Sequence, residues 1–176
     1  MGSVPKLCSR ITAITALAAG ALLLAALPAA AAETVKIQRS IPFAENAPVP
    51  AAVREKCALQ TKVPEFIQQA AGSSVELVDG AVDRRKGRVL MMEITEVHAP
   101  GGGAFSGPKW MSVKGELYDK GKQIGSFRAK RFSTGGAFGS FKGTCALIGR
   151  CTKTLGSDIA TWLGSPTSNA QLGDAR

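Results

Sequence analysis

The chain has 176 residues, with 22 Lys or Arg against 13 Asp or Glu, a formal net charge of +9 and a pI of about 9.7. That length is enough for one domain with one hydrophobic core. The basic residues are scattered rather than gathered in a stripe, which excludes a nucleic-acid signature and leaves weak attraction to anionic surfaces.

Residues 1–32 have the parts of a cleavable export signal. Lys6 and Arg10 give a positive start, Ile11 to Leu27 is an apolar run of about 17 residues, and Pro28 breaks it. Ala30-Ala31-Ala32 then supplies the small residues that a signal peptidase accepts. An uncleaved membrane anchor is the alternative, but this Ala-rich run is marginal for crossing ~30 Å of hydrocarbon. The expectation is cleavage near Ala32, a periplasmic mature chain and no later membrane span. Without Lys6 and Arg10 the remainder carries about +7 over roughly 144 residues.

Residues 33–164 are expected to form a single domain. Val35, Ile37, Ile41 and Phe43 fall on one side of a half-buried strand, with Pro42 marking an edge or strand end. Asn46 to Pro50 is a Pro-rich connector. Leu59, Val63, Phe66, Ile67 and Ala70 then lie on one helical face, which Gly72 is placed to end, and Pro64 predicts a kink or break near Thr61.

Four strands follow, over 74–79, 88–98, 110–119 and 123–133. The last two read as a hairpin whose register can be argued. Met111, Val113 and Leu117 share a face, as do Gly125, Phe127 and Ala129, so opposed pairs must sum to an even number. A three-residue loop, Lys120-Gly121-Lys122, sets Leu117 opposite Gly125, Gly115 opposite Phe127 and Val113 opposite Ala129. Phe127 then covers the gap at Gly115. A two-residue loop would instead bury Arg128 beside Val113, which costs far more than any turn preference, so the three-residue loop is expected.

Ile148, Cys151, Leu155, Ile159, Trp162 and Leu163 define a final amphipathic helix ended by Gly164 and Pro166. Gly149 and Gly156 inside it are expected to mark close approach of a neighbouring backbone. Residues 165–176 read as a disordered tail. The order strand–helix–four strands–helix implies an α+β fold: a mostly antiparallel five-stranded sheet with two helices packed on one face. The other face would carry Lys114, Glu116, Tyr118, Arg128 and Lys130.

The chemistry-bearing residues are few. Cys8 leaves with the signal, and Cys57, Cys145 and Cys151 remain in an oxidising compartment, where a disulfide is expected. If the strands alternate up and down, the helices run antiparallel and Cys57 lies at the opposite end from Cys145. The reading is then Cys145–Cys151, provided the helix starts after Cys145, with Cys57–Cys151 next. No C-x-x-C spacing supports a metal site with His98, and no metal or cofactor is expected. A Cys57/His98 nucleophile pair is the enzymatic alternative. Glu93 and Glu96, three apart on a strand, are expected on opposite faces, which disfavours a paired-carboxylate site.

Gly102-Gly103-Ala104-Phe105 and Gly135-Gly136-Ala137-Phe138 repeat one tetrapeptide, each after a strand. The second runs through Phe141 and Lys142 into the last helix. Phe141 precedes Lys142 where a Walker loop needs glycine, so the reading is a pair of aromatic-tipped loops able to meet a partner. Arg84-Arg85-Lys86 with Arg88 forms a basic turn. Lys114, Arg128 and Lys130 together offer a basic sheet face for anionic lipid or polymer.

The run Gly135-Gly136-Ala137-Phe138, Gly143-Thr144-Cys145, Arg150-Cys151 and Leu155 through Leu163 resembles small, functionally uncharacterised exported proteins of Gram-negative bacteria. Their layout is similar to that of lipoproteins assisting envelope transport or secretion. The resemblance implies a non-catalytic periplasmic accessory role with an envelope partner, and it carries over no catalytic residue. Such lipoproteins have an acylated cysteine just after the signal core; here Cys8 precedes that core and Ala30–Glu33 contains none, which argues against a lipid tether.

Overall fold

The computed structural model describes residues 33–102, 106–133 and 143–175. The class is α+β. Strands β1 (Val35–Gln38), β2 (Val75–Val78), β3 (Arg88–His98), β4 (Lys109–Asp119), β5 (Lys122–Ser133) and β6 (Ala170–Gly173) form one sheet in the order β2-β1-β3-β4-β5-β6. Helices α1 (Ala51–Lys56) and α2 (Leu59–Ala71) join β1 to β2, and α3 (Thr144–Gly164) joins β5 to β6. As expected, the long helices share one face. Gly156 of α3 lies against Phe66 and Ile67 of α2, while Trp162 packs edge-on to Phe127 of the sheet at 4.9 Å between ring centroids.

Three features differ from the expected sheet. It has six strands, and it is mixed: β1 is parallel to β2 and β3, and β5 to β6, while only β3–β4 and β4–β5 are antiparallel. Residues 79–87 return from the end of β2 to the start of β3, reaching the hairpin turn where Lys120 N–H donates to the Gly87 carbonyl at 2.9 Å and Gly121 N–H to that of Arg84 at 2.8 Å. The third difference is the C-terminal segment. Instead of fraying, Ala170–Gly173 pairs with Phe127–Lys130. Arg131 secures it, with its guanidinium on Asp158 of α3 at 2.7 and 2.8 Å and on Asp174 at 3.6 Å.

The hairpin has the expected core register: Val113 faces Ala129, Gly115 faces Phe127 and Leu117 faces Gly125. The loop that achieves it is different. Lys120 and Gly121 form a two-residue turn, both at positive φ (48° and 89°), as a type I′ turn requires. A bulge at Ile124 supplies the extra residue that restores even-sum pairing. Phe127 does fill the space at Gly115, where an added Cβ would lie 2.5 Å from its ring.

Pro64 causes no internal break. It lacks the N–H that would bond Gln60, and the Gln60 carbonyl instead accepts from Ile41 N–H at 3.1 Å. The interruption falls earlier, at Ala58, whose left-handed φ of 50° separates α1 from α2. Of the two helical glycines, Gly156 matches the expectation of close approach and Gly149 does not: no described atom lies within 4 Å of a Cβ added there.

The disulfide is Cys57–Cys145, with Cα atoms 5.1 Å apart, and Cys151 is a free thiol. This corrects the expected Cys145–Cys151 bridge. Because β1–α2–β2 and β5–α3–β6 are both parallel crossovers and β5 runs with β1, α2 and α3 run parallel. Their N-termini, with Cys57 and Cys145, therefore meet at one end. Cys145 and Cys151 both lie inside α3, where positions six apart diverge.

Candidate functional site

With the helices on one face, the other face of β3–β5 is left open. Alternation along β4 sends Met111, Val113 and Leu117 to the core and Trp110, Ser112, Lys114, Glu116 and Tyr118 outward. On β5, Arg128, Lys130 and Phe132 share that outward side. A bulge at Thr95 shifts the phase of β3, pairing Glu93 with Lys114 and Glu96 with Ser112. Glu93 and Glu96 therefore share the open face, contrary to the expectation from simple alternation.

The resulting surface alternates in charge. Lys114 Nζ meets Glu93 Oε1 at 2.6 Å, and Lys130 Nζ meets Glu96 Oε2 at 3.4 Å. The Glu96 carboxylate also accepts from Trp110 Nε1 at 2.8 Å and Ser112 Oγ at 3.3 Å. The indole hydrogen bond, aided by the Lys130 charge, outweighs partial burial and holds the Glu96 pKa below its ordinary value. Tyr118 donates to Glu116 at 2.6 Å, and that bond together with burial raises the phenol pKa. Of the three cations expected to make a basic face, two are thus paired. Arg128 alone makes no ion pair or hydrogen bond among the described residues.

The face is concave. Two adjoining depressions, of about 570 and 490 Å³, share Lys114, Arg128 and Gln171. Arg84, from the basic turn, borders the first depression and lies over the Tyr118 ring at 5.7 Å; Asn169 and Gln171 border it from the C-terminal segment. An aromatic row lies beyond the second depression. His98 stacks on Trp110 at 3.6 Å, Trp110 neighbours Phe132 at 5.5 Å, and Phe132 is 46% exposed. Lys130 Nζ sits over both Trp110 and Phe132, at 5.5 and 5.3 Å.

Phe105, Phe138, Phe141 and Lys142 lie outside the described residues. Cys57 is oxidised and has no thiol to offer, so the Cys57/His98 nucleophile pair is not formed. Burial pushes the Cys151 thiol up to about 11, which leaves it a poor nucleophile. No group of three or more His, Cys, Asp or Glu among the described residues is arranged to hold a metal, and no helix among them is long and apolar enough to cross a membrane.

One functional-looking residue escaped the sequence reading. Lys109 is fully buried, with its ammonium on Ser106 Oγ at 2.7 Å and on the Gly107 carbonyl at 3.1 Å, and desolvation lowers its pKa. It sits on the helix side of β4 and anchors the β3–β4 loop. Its odd number, in phase with Met111 and Val113, is the signal that could have placed it inside.

No family model matches the chain, and no curated protein matches it. Among solved structures it is similar to a PelC dodecamer from Paraburkholderia phytofirmans, at 14% identity and a TM-score of 0.43, over 71% of this chain and 87% of that one. A likeness at that level carries no argument about function.

Proposed function

We propose that the chain is an exported, non-catalytic accessory protein of the bacterial envelope that binds a partner or envelope component over the open face of its sheet. The observation that carries this reading is the asymmetry of the sheet. One face is sealed by α2 and α3, while the other is a concave, charge-alternating surface with Arg128 unpaired and Phe132 exposed. The apolar segment Ile11–Leu27 and the Cys57–Cys145 disulfide both support an extracytoplasmic location, since structural disulfides persist mainly in oxidising compartments.

A photo-crosslinking residue at position 132 tests the reading in the native periplasm, with position 153 on the outer surface of α3 as control. A discrete adduct from position 132 and none from position 153 is the expected result. Absence of any adduct from position 132, under conditions that trap known periplasmic complexes, would refute it. Mass measurement of the purified protein checks cleavage after Ala32 in the same preparation.

A further inference from the structure

We infer that the occupant of this face is an acidic glycan: an extended saccharide chain bearing carboxylates, seated along β5 with one acid group on Arg128. The inference rests on the open face being the binding surface and goes on to name what fills it.

The charge pattern points to an anion at one place. Lys114 and Arg128 are directly opposed on adjacent strands, an arrangement of like charges that weakens a sheet. Glu93 neutralises Lys114, and one positive charge remains at the boundary between the two depressions. A guanidinium presents two parallel N–H groups that match a carboxylate. Phe132 lies on the same strand and face, four residues away, or about 13 Å. A ligand using both must be a chain longer than a single sugar ring.

The rest of the floor suits hydroxyl groups, which both donate and accept. Glu93, Glu96 and Glu116 offer acceptors, Gln171 and Asn169 offer amide groups, and Phe132 offers an apolar ring to the C–H face of a sugar. An extended peptide is disfavoured because its main-chain hydrogen bonds require a sheet edge, and this is a face. A bilayer is disfavoured because a flat surface cannot reach the floor of a groove bordered by Arg84 and Asn169.

Trp110, held by Glu96 beside the groove, is a built-in reporter. Purified full-length exported protein is titrated with hexagalacturonate, neutral maltohexaose and hexaglutamate while tryptophan fluorescence is followed. Hexagalacturonate should give a saturable change that maltohexaose does not. Arg128→Gln should weaken it about tenfold, the loss of one charge-assisted contact. Phe132→Ala should also weaken binding, whereas Lys153→Gln should leave it unchanged. Equal response to hexagalacturonate and maltohexaose overturns the inference, as does an Arg128→Gln variant that binds like the parent. Hexaglutamate binding as tightly as the glycan, or Lys153→Gln weakening it as much as Arg128→Gln, overturns it too. If none of these probes binds while the adduct at position 132 persists, the glycan assignment falls and the binding-face reading stands; loss of the adduct removes both.

Discussion

The Cys57–Cys145 bond closes a loop of 88 residues, and that length sets a measurable stability. In the chain-entropy treatment such a loop stabilises the folded state by about 4.6 kcal/mol at 25 °C, whereas a six-residue Cys145–Cys151 loop would give only about 2 kcal/mol. With a urea m-value of about 2 kcal/mol/M, reduction should lower the unfolding midpoint by roughly 2 M. The assay is equilibrium urea unfolding of the purified protein with and without dithiothreitol, followed by far-UV circular dichroism. Cys57→Ala and Cys145→Ala should each abolish the effect of reductant, because either removes the bond. Cys151→Ala should keep that effect intact, since its thiol lies outside the bridge. A midpoint moving by less than about 0.5 M on reduction would refute the entropic reasoning. Loss of reductant sensitivity in Cys151→Ala would refute the pairing itself.

The helical glycines predict opposite outcomes for one chemical change. Gly156→Ala places a methyl 2.8 Å from the Phe66 backbone carbon and should cost about 1–3 kcal/mol, while Gly149→Ala meets no described atom and should stabilise by up to about 1 kcal/mol; thermal unfolding reads both, and equal shifts would contradict the packing. Glu96 links stability to acidity. Its pKa is lowered in the fold, so its contribution is fully present above the unfolded carboxylate value of about 4.3 and is lost as pH falls through the folded value. Glu96→Gln should be less stable than the parent at pH 7, with the difference shrinking on acidification; a difference constant from pH 7 to pH 3 would count against this account.

Much of the central hairpin was legible because alternation is strict there. The parity of Val113, Leu117, Gly125 and Phe127 dictates the register, and burying Arg128 would cost too much for any other. The turn was less legible, since a type I′ turn with a bulge at Ile124 and a three-residue loop give the same pairing. Strand direction lay beyond simple periodicity. Val35 and Val75 alternate the same way whether they pair parallel or antiparallel, but a strand–helix–strand succession was available as a signal for a parallel crossover. Misjudging that direction carried into the disulfide, because it placed the start of α2 at the wrong end. β6 offered only Ala170 and Leu172 as inward residues, too short a pattern to read. The open face was half visible: Lys114, Arg128 and Lys130 were identified, but the Thr95 bulge that brings both Glu93 and Glu96 among them leaves no trace in hydrophobic alternation.

The burial of Cys151 bears on how the chain reaches its correct covalent form. Cys151 is only six residues from Cys145, while Cys57 is 88 away, so proximity along an unstructured chain favours the wrong partner. In the folded chain the nearer sulfur is turned under α3, against the Lys109 carbonyl, and burial suppresses its thiolate, which opposes that pairing. A helix assembled before oxidation would thereby act as a chaperone for its own cross-link, leaving Cys145 for its distant mate.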